Sequence, residues 1–331
     1  MEIHTSEFVK PARKIVEECF ALQPKEQLLV ITDTQLSKRI GESLVAYAGS
    51  LGNDASILTF PAREYIPDKP WVREDPPTVI SESMKFADAV FIYTTVSLSY
   101  SNARKEANSK GVRVLSAPRM QEEEFLRTSK INFVELSALT RRVSNLQMKA
   151  KKIRIKTDAG TDISWEQDTR ETLVVDGLCR DKGNFTQLPP GASACVPVQG
   201  SAEGKVVIDG MLHGISFPLR DPVTLEVKNG KITRIDGGFE ARQLEHKMRD
   251  ANDPNAYNYP AEWAVGTNSA AVMVPEIEGE RCYGCINTGI GANSHIPGGK
   301  VLSRFHLDGV MLDPTLIADG QVVLQKRVFK I

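Results

Sequence analysis

Through residues 8–116, short uninterrupted apolar runs alternate with segments of helical spacing, and this alternation limits the fold more than any other feature of the chain. Phe8–Leu22 places Val9, Ala12, Ile15, Val16, Cys19 and Phe20 at near-helical intervals and is stopped by Pro24. Leu28–Thr32 reads as a short buried strand, and Ser37–Leu51 as an amphipathic helix closed by Gly52. Ala55–Phe60, Ala87–Tyr93 and Val112–Ser116 read as three further strands, the last preceded by a helix over Ser101–Lys110. Strands that are apolar on both faces must be covered on both faces, as in a parallel sheet wrapped by crossover helices. The expectation is therefore an open, doubly wound α/β domain. The turn after the first strand, Asp33–Lys38, contains no glycine, so neither a dinucleotide-binding turn nor a phosphate loop is expected there.

Beyond residue 130 the pattern changes. A helix over Glu135–Lys149 gives way to short, turn-punctuated strands at Lys152–Thr157, Asp162–Trp165, Gly204–Asp209, Val223–Lys228 and Lys231–Ile235. Asn229-Gly230 between two alternating runs is a tight-hairpin signal. A helix over Ala241–Asp250 follows, and strands return at Cys285–Gly289, Val301–Leu312 and Gln321–Phe329. The fold class expected is α/β, with a doubly wound parallel-sheet domain at 1–149 followed by a β-rich α+β metal-binding domain at 150–331. Two domains also suit a 331-residue chain at about 150 residues each.

Forty-one basic against 42 acidic side chains leave a net charge of −1, which provides no field for collecting a polyanion, so no nucleic-acid partner is expected. The longest apolar runs fall far short of the roughly 20 residues of a membrane helix, and the N-terminus lacks the basic and apolar regions of a signal peptide. A cytoplasmic protein with no membrane partner is the expectation. Five cysteines do not suggest a disulfide framework, and Cys282-x-x-Cys285, without a second pair at metal spacing, reads as two buried thiols.

The chemistry concentrates near the C-terminus. In Phe305-His306-Leu307-Asp308-Gly309, strand alternation turns His306 and Asp308 to one face, a workable half of a metal site. A hydrogen-bonded His–Asp pair without metal is the competing reading. Upstream, Gly289–Gly299 is a glycine-rich loop carrying His295, and Glu262 sits among small and apolar residues where a carboxylate needs a partner. Metal-ligand candidates are Glu262, His306 and Asp308, with Asn287 as a further contact. His295, His246 and Glu240 are the candidates for acid–base catalysis, although a helix-start role explains Glu240 equally well. Arg304 and Asn293 are the candidate substrate contacts, while His213 reads as a loop or packing histidine.

Ala261–Asn268, Gly284–Gly291 and Phe305–Gly309, in this order and spacing, resemble the C-terminal metal-site segments of the thermophilic-type metallo-aminopeptidases, the aminopeptidase T and S group. The chain is also similar to a divergent branch, the 2,5-dihydroxypyridine 5,6-dioxygenases, through Val223–Ile235, Gly237–Ala241, Asn252–Pro254 and His306–Asp308. The aminopeptidase resemblance implies two metal ions, with Glu262, His306 and Asp308 matching ligands. A second glutamate, however, is replaced around Gly191-Ala192-Ser193, and a histidine by Asn287. The dioxygenase resemblance implies one iron and a histidine where this chain has Glu262. One divalent ion (zinc, manganese or iron) is therefore expected rather than two. A two-histidine, one-carboxylate iron site would require His295 to swing in.

The function expected first is a metal-dependent hydrolase of aminopeptidase type, cleaving an amide bond of a small molecule or short peptide. Two alternatives stand beside it: a mononuclear non-haem iron dioxygenase opening a hydroxypyridine-like ring, and a non-catalytic ligand-binding relative. A homo-oligomer is expected in each case.

Overall fold

The computed structural model describes residues 4–63 and 75–331. They form two compact units. One comprises residues 4–63 and 75–137 with Val175–Pro190, the other Ala138–Val174 with Gly191–Ile331.

The first unit is built on a five-stranded parallel sheet in the spatial order Asp54–Phe60, Gln27–Asp33, Ala89–Tyr93, Arg113–Ser116, Phe185–Gln187. The chain first steps to one side of the Gln27 strand and then to the other, which is the reversal that defines a doubly wound sheet. Val30, Ile31, Phe91, Ile92, Val114 and Leu115 are all fully buried, as the uninterrupted apolar runs require. The helix Lys38–Ser50 is capped by Ser37, whose hydroxyl accepts the Arg39 N–H. The N-terminal helical segment is one run in three geometries: a 3-10 turn at Thr5–Phe8, an α-helix at Val9–Arg13 and a π-helix at Lys14–Cys19. The fifth strand, Phe185–Gln187, carried no sequence signal. It is three residues long, two of them polar, and reaches the sheet only after the long helix Phe133–Lys149.

The second unit contains two antiparallel sheets. Eight strands run in the order Lys231–Asp236, Val223–Lys228, Glu203–Ile208, Asp162–Glu166, Lys152–Lys156, Thr315–Ala318, Gln321–Gln325, Val328–Phe329. Asn229-Gly230 forms the expected hairpin turn, with φ of 49° and 67°. The other sheet has the order His306–Met311, Ile286–Gly291, Trp263–Gly266, Ala192–Cys195, Leu173–Val175. A shared core includes Ile155, Trp165, Val206 and Leu225 from the first sheet with Trp263, Ile286, Ile290 and Leu307 from the second. Ala241, Leu244 and Met248 of the helix Phe239–Asp250 join it.

Two expected strands are shorter than their apolar patterns. Of Val301–Leu312, only His306–Met311 is strand; before it, Val301 N–H donates to Asn293 Oδ1 and Phe305 N–H to Ser303 Oγ, which holds the segment as loop. Gln321–Phe329 is interrupted by Lys326 and Arg327 at positive φ, giving two strands and a turn.

At the centre of the shared core, Trp165 and Trp263 meet edge to face at 5.5 Å, and both indole N–H groups donate to Gln167 Oε1 at 3.2 Å. Replacing Gln167 by Leu leaves two buried donors without an acceptor, a cost of about 2–4 kcal/mol. Thermal unfolding of Gln167→Leu should fall by roughly 5–15 °C; an unchanged midpoint would show that water or rearrangement satisfies the indoles.

Candidate metal centre

The site is a row of residues laid across one sheet face. Trp263, Ile286, Ile290 and Leu307 point into the core, so strand alternation sends their neighbours Asn287, Gly289, His306 and Asp308 to the opposite face. The register sets Gly289 opposite Asp308 and Gly291 opposite His306. On the other side, Gly289 exchanges backbone hydrogen bonds with the Ala261–Glu262 segment, which brings Glu262 level with it. A fourth segment closes the row: Leu212 bridges Gly309, and His213 N–H donates to the Asp308 carbonyl. Glu262, Gly289, Asp308 and His213 therefore stand in line across four neighbouring segments.

Glycine at 289 is dictated by what leans over it. A Cβ there would lie 2.8 Å from Glu262 Cγ, 3.2 Å from His306 Cε1 and 3.4 Å from Asp308 Oδ1. The glycine-rich loop after Gly291 brings His295 in from above. Its Nε2 is 2.8 Å from Glu262 Oε2, and its ring meets that of His306 edge to face at 4.6 Å. The loop is held by Asn293, whose amide donates to the Ala261 carbonyl and accepts the Val301 N–H. One ligand atom each from Glu262, His295 and His306 lies within 4.8 Å of the other two. Their side chains are 8%, 5% and 10% exposed.

His306 is oriented from both ends. A carbonyl can only accept, so Nδ1–H donates to Ala292 O at 2.8 Å, leaving Nε2 as the atom turned toward Asp308 Oδ2 at 3.1 Å. Burial pulls the imidazole pKa down, but the Asp308 charge and hydrogen bond, with Glu262 and the Ala292 carbonyl, outweigh it and raise it to about 10. Burial pushes Asp308 up, and this is outweighed by His306, His213 and the Asn287 amide, which hold the carboxyl well below the usual range. Asn287 Nδ2 donates to Asp308 Oδ1 at 2.9 Å, while Asn287 Oδ1 is buried with no hydrogen-bond partner.

Thus Glu262, His295, His306, Asp308 and Asn287 come together. The other candidates do not join them. His246 is 64% exposed on its helix and pairs with Asp250 at 3.2 Å. Glu240 is buried in the first turn of the same helix, where it accepts the Arg220 N–H. Arg304 precedes the His306 strand rather than sharing its face; it is exposed, and its N–H donates to Asp253. Asn293 spends its amide on backbone groups of the loop. His213 and Glu280 were missed: they converge with Asp308 within the same 4.8 Å limit. No local spacing signals this, because Gly210–His213 meets the His306 strand only in the folded chain.

A model of the family described as NicX: 2,5-dihydroxypyridine 5,6-dioxygenase matches residues 7–330. A 2,5-dihydroxypyridine 5,6-dioxygenase of Pseudomonas putida is 27% identical over 255 residues, covering 71% of this chain and 69% of that protein. The solved 2,5-dihydroxypyridine dioxygenase from Pseudomonas putida KT2440 aligns with a TM-score of 0.84 at 19% identity, over 99% of this chain and 98% of its own. Wild-type AmpT from Thermus thermophilus aligns with a TM-score of 0.64 at 13% identity, over 98% and 99%. At such identities the two structures establish the fold, an α/β unit with a β-rich unit, as expected from sequence. The expectation of an amide hydrolase is overturned: the near full-length family match and the curated relative are dioxygenases, and the aminopeptidase likeness extends to fold alone.

Gly289→Ala should force Glu262 and His306 apart with the sheet intact. Divalent-ion affinity, measured by calorimetry on the metal-stripped protein, should drop roughly 10–100-fold with an unchanged circular dichroism spectrum. Unchanged affinity would mean the glycine serves packing only.

Proposed function

The chain belongs to the NicX family of 2,5-dihydroxypyridine 5,6-dioxygenases, and from that premise we propose that it is a non-haem iron dioxygenase opening a hydroxylated, pyridine-like ring. The observation that carries this reading is the convergence of Glu262, His295 and His306 ligand atoms within 4.8 Å of one another. Two imidazoles and one carboxylate on one side of an ion, with its other positions open, are the donor set that suits Fe²⁺ in oxygenases. His295 needs no rearrangement to complete it, since its Nε2 already lies beside the Glu262 carboxylate.

When bound, the iron would supply the oxygen chemistry that amino-acid side chains lack. The chain's own residues would do the rest. The Ala292 carbonyl fixes the His306 ring so that Nε2 faces the site. The Asn287 amide holds Asp308 by its Oδ1, leaving Oδ2 on the His306 side. Were His306 Nε2 to hold the ion, Asp308 Oδ2 would be left as the acceptor for the proton of a ring hydroxyl. The deep burial of all three ligands excludes bulk water, which strengthens these electrostatic contacts. The active protein is thus a small-molecule enzyme, in keeping with its near-zero net charge.

Anaerobic loading of the stripped protein with Fe²⁺, followed by 2,5-dihydroxypyridine and air, should consume one O₂ per ring opened, read by an oxygen electrode and loss of the aromatic absorbance. Glu262→Gln, His295→Ala and His306→Ala should each lower that rate at least ~100-fold. Iron binding without oxygen uptake across a panel of mono- and dihydroxypyridines would overturn the assignment.

A further inference from the structure

The site face holds a polar atom that neither the ligand set nor the proton acceptor uses. Asn287 lies in the strand Ile286–Gly291, 2% exposed, on the same face as Gly289 and two residues before it. That spacing sets it about 6.5–7 Å along the strand from the glycine over which Glu262, His306 and Asp308 lean. Its Nδ2 donates to Asp308 Oδ1 at 2.9 Å, which fixes the plane of the amide. Oδ1, on the other side of that amide, is buried and has no hydrogen-bond partner among the described residues. The surroundings offer it none. The register places Val310 on one side of Asn287 and Ala264 on the other, with Ala194 beyond Ala264. Ala264 and Ala194 pack with Ile296 of the glycine-rich loop, and none of these four side chains carries a donor. A buried acceptor without a donor is destabilising, and a ligand that brings a donor recovers that cost.

Resting on the reading of the chain as a hydroxypyridine dioxygenase, we propose that Asn287 Oδ1 accepts the ring N–H of the substrate in its lactam form. The contact selects a nitrogen heterocycle over a carbocyclic ring of the same size. A hydroxyl beside a ring nitrogen can pass its proton to that nitrogen, so a 2-hydroxypyridine presents an N–H donor next to a carbonyl. A benzenediol has only C–H at the same position. Asp308 Oδ2 and Asn287 Oδ1 are then two acceptors for one ring, the first for its hydroxyl and the second for its N–H. The hydrogen bond between Asn287 Nδ2 and Asp308 Oδ1 ties the two side chains to each other. A site built to pair with a donor rejects the analogue that lacks it, because the buried acceptor is left unpaired. Asn287 is in this sense a specificity-determining residue rather than a ligand of the ion.

The test is anaerobic calorimetric titration of the Fe²⁺-loaded full chain with 2,5-dihydroxypyridine and with benzene-1,4-diol, alongside oxygen uptake in air. Wild type should bind the heterocycle at least ~10-fold more tightly; equal affinities overturn the contact. Asn287→Leu should lose that preference, with the heterocycle weakened and the benzenediol little changed. If Asn287 only orients Asp308, or holds the ion, both rings weaken together and their ratio persists, which overturns the proposal. Should Asn287→Leu fail to fold, Asn287→Ala carries the same comparison. Oxygen uptake by wild type with the ratio unchanged in the variant leaves the dioxygenase reading standing without this contact. A preference lost in the variant, with no oxygen uptake by wild type, supports the contact and removes the reaction. Binding of neither ring overturns both.

Discussion

Glu262 and Asp308 are two carboxylates buried on one sheet face, in line across a single glycine. Placing like charges so close and so far from water is costly unless cations or protons balance them. Much of the surrounding architecture answers that requirement. His306 and His295 stand against the two carboxylates, the Asn287 amide donates to Asp308, and His213 follows on the outer edge. A group so constructed is not a surface ion pair, whose net worth is small; it holds together only while every member has its partner.

The sheet supplies the precision that this balance needs. Side chains alternate along each strand, so the face that presents Asn287, Gly289, His306 and Asp308 is fixed by the opposite face, where Trp263, Ile286, Ile290 and Leu307 are locked into the core. A slip of one residue would exchange the two sets, burying charge in the core and exposing apolar side chains to the site. The Trp165–Gln167–Trp263 contact pins the Trp263 strand, immediately next to Glu262. Hydrophobic packing on one face therefore determines the side-chain geometry on the other.

How much of this was legible follows from what is local. The doubly wound unit could be read because continuous apolar strands and amphipathic helices encode it residue by residue. His306 and Asp308 could be read because a strand places i and i+2 on one face. Glu262 stood out as a carboxylate among apolar neighbours. His295 could be named only as a loop residue able to swing in; its position depends on Asn293 tying the loop to Ala261 and Val301. His213 and Glu280 were illegible because backbone pairing between Gly210–His213 and the His306 strand exists only after folding. Arg304 lies outside the strand because polar contacts hold the segment before His306 as loop, although its sequence has strand character.

Two positions where the sequence departs from the aminopeptidase pattern each make a contact of their own. Around Gly191-Ala192-Ser193, where that pattern has a glutamate, Ser193 Oγ instead donates to Gln147 Oε1 at 2.6 Å, and the Gln147 amide donates back to the Ser193 carbonyl. Ser193 is paired with Val265 and so lies on the core face, where this neutral contact leaves neither group unsatisfied. At Asn287, where the pattern has a histidine, the amide donates to Asp308 Oδ1 and thus fixes the direction of Oδ2. With its N–H so engaged the Asn287 amide orients Asp308, while its buried Oδ1 keeps its lone pairs. The register puts Asn287 with Ala264 and Ser193 with Val265, so of the two only Asn287 stands on the face that carries the site. What remains is weighted toward Glu262 with the two imidazoles on one side of Gly289, and toward Asp308 with His213 and Glu280 on the other.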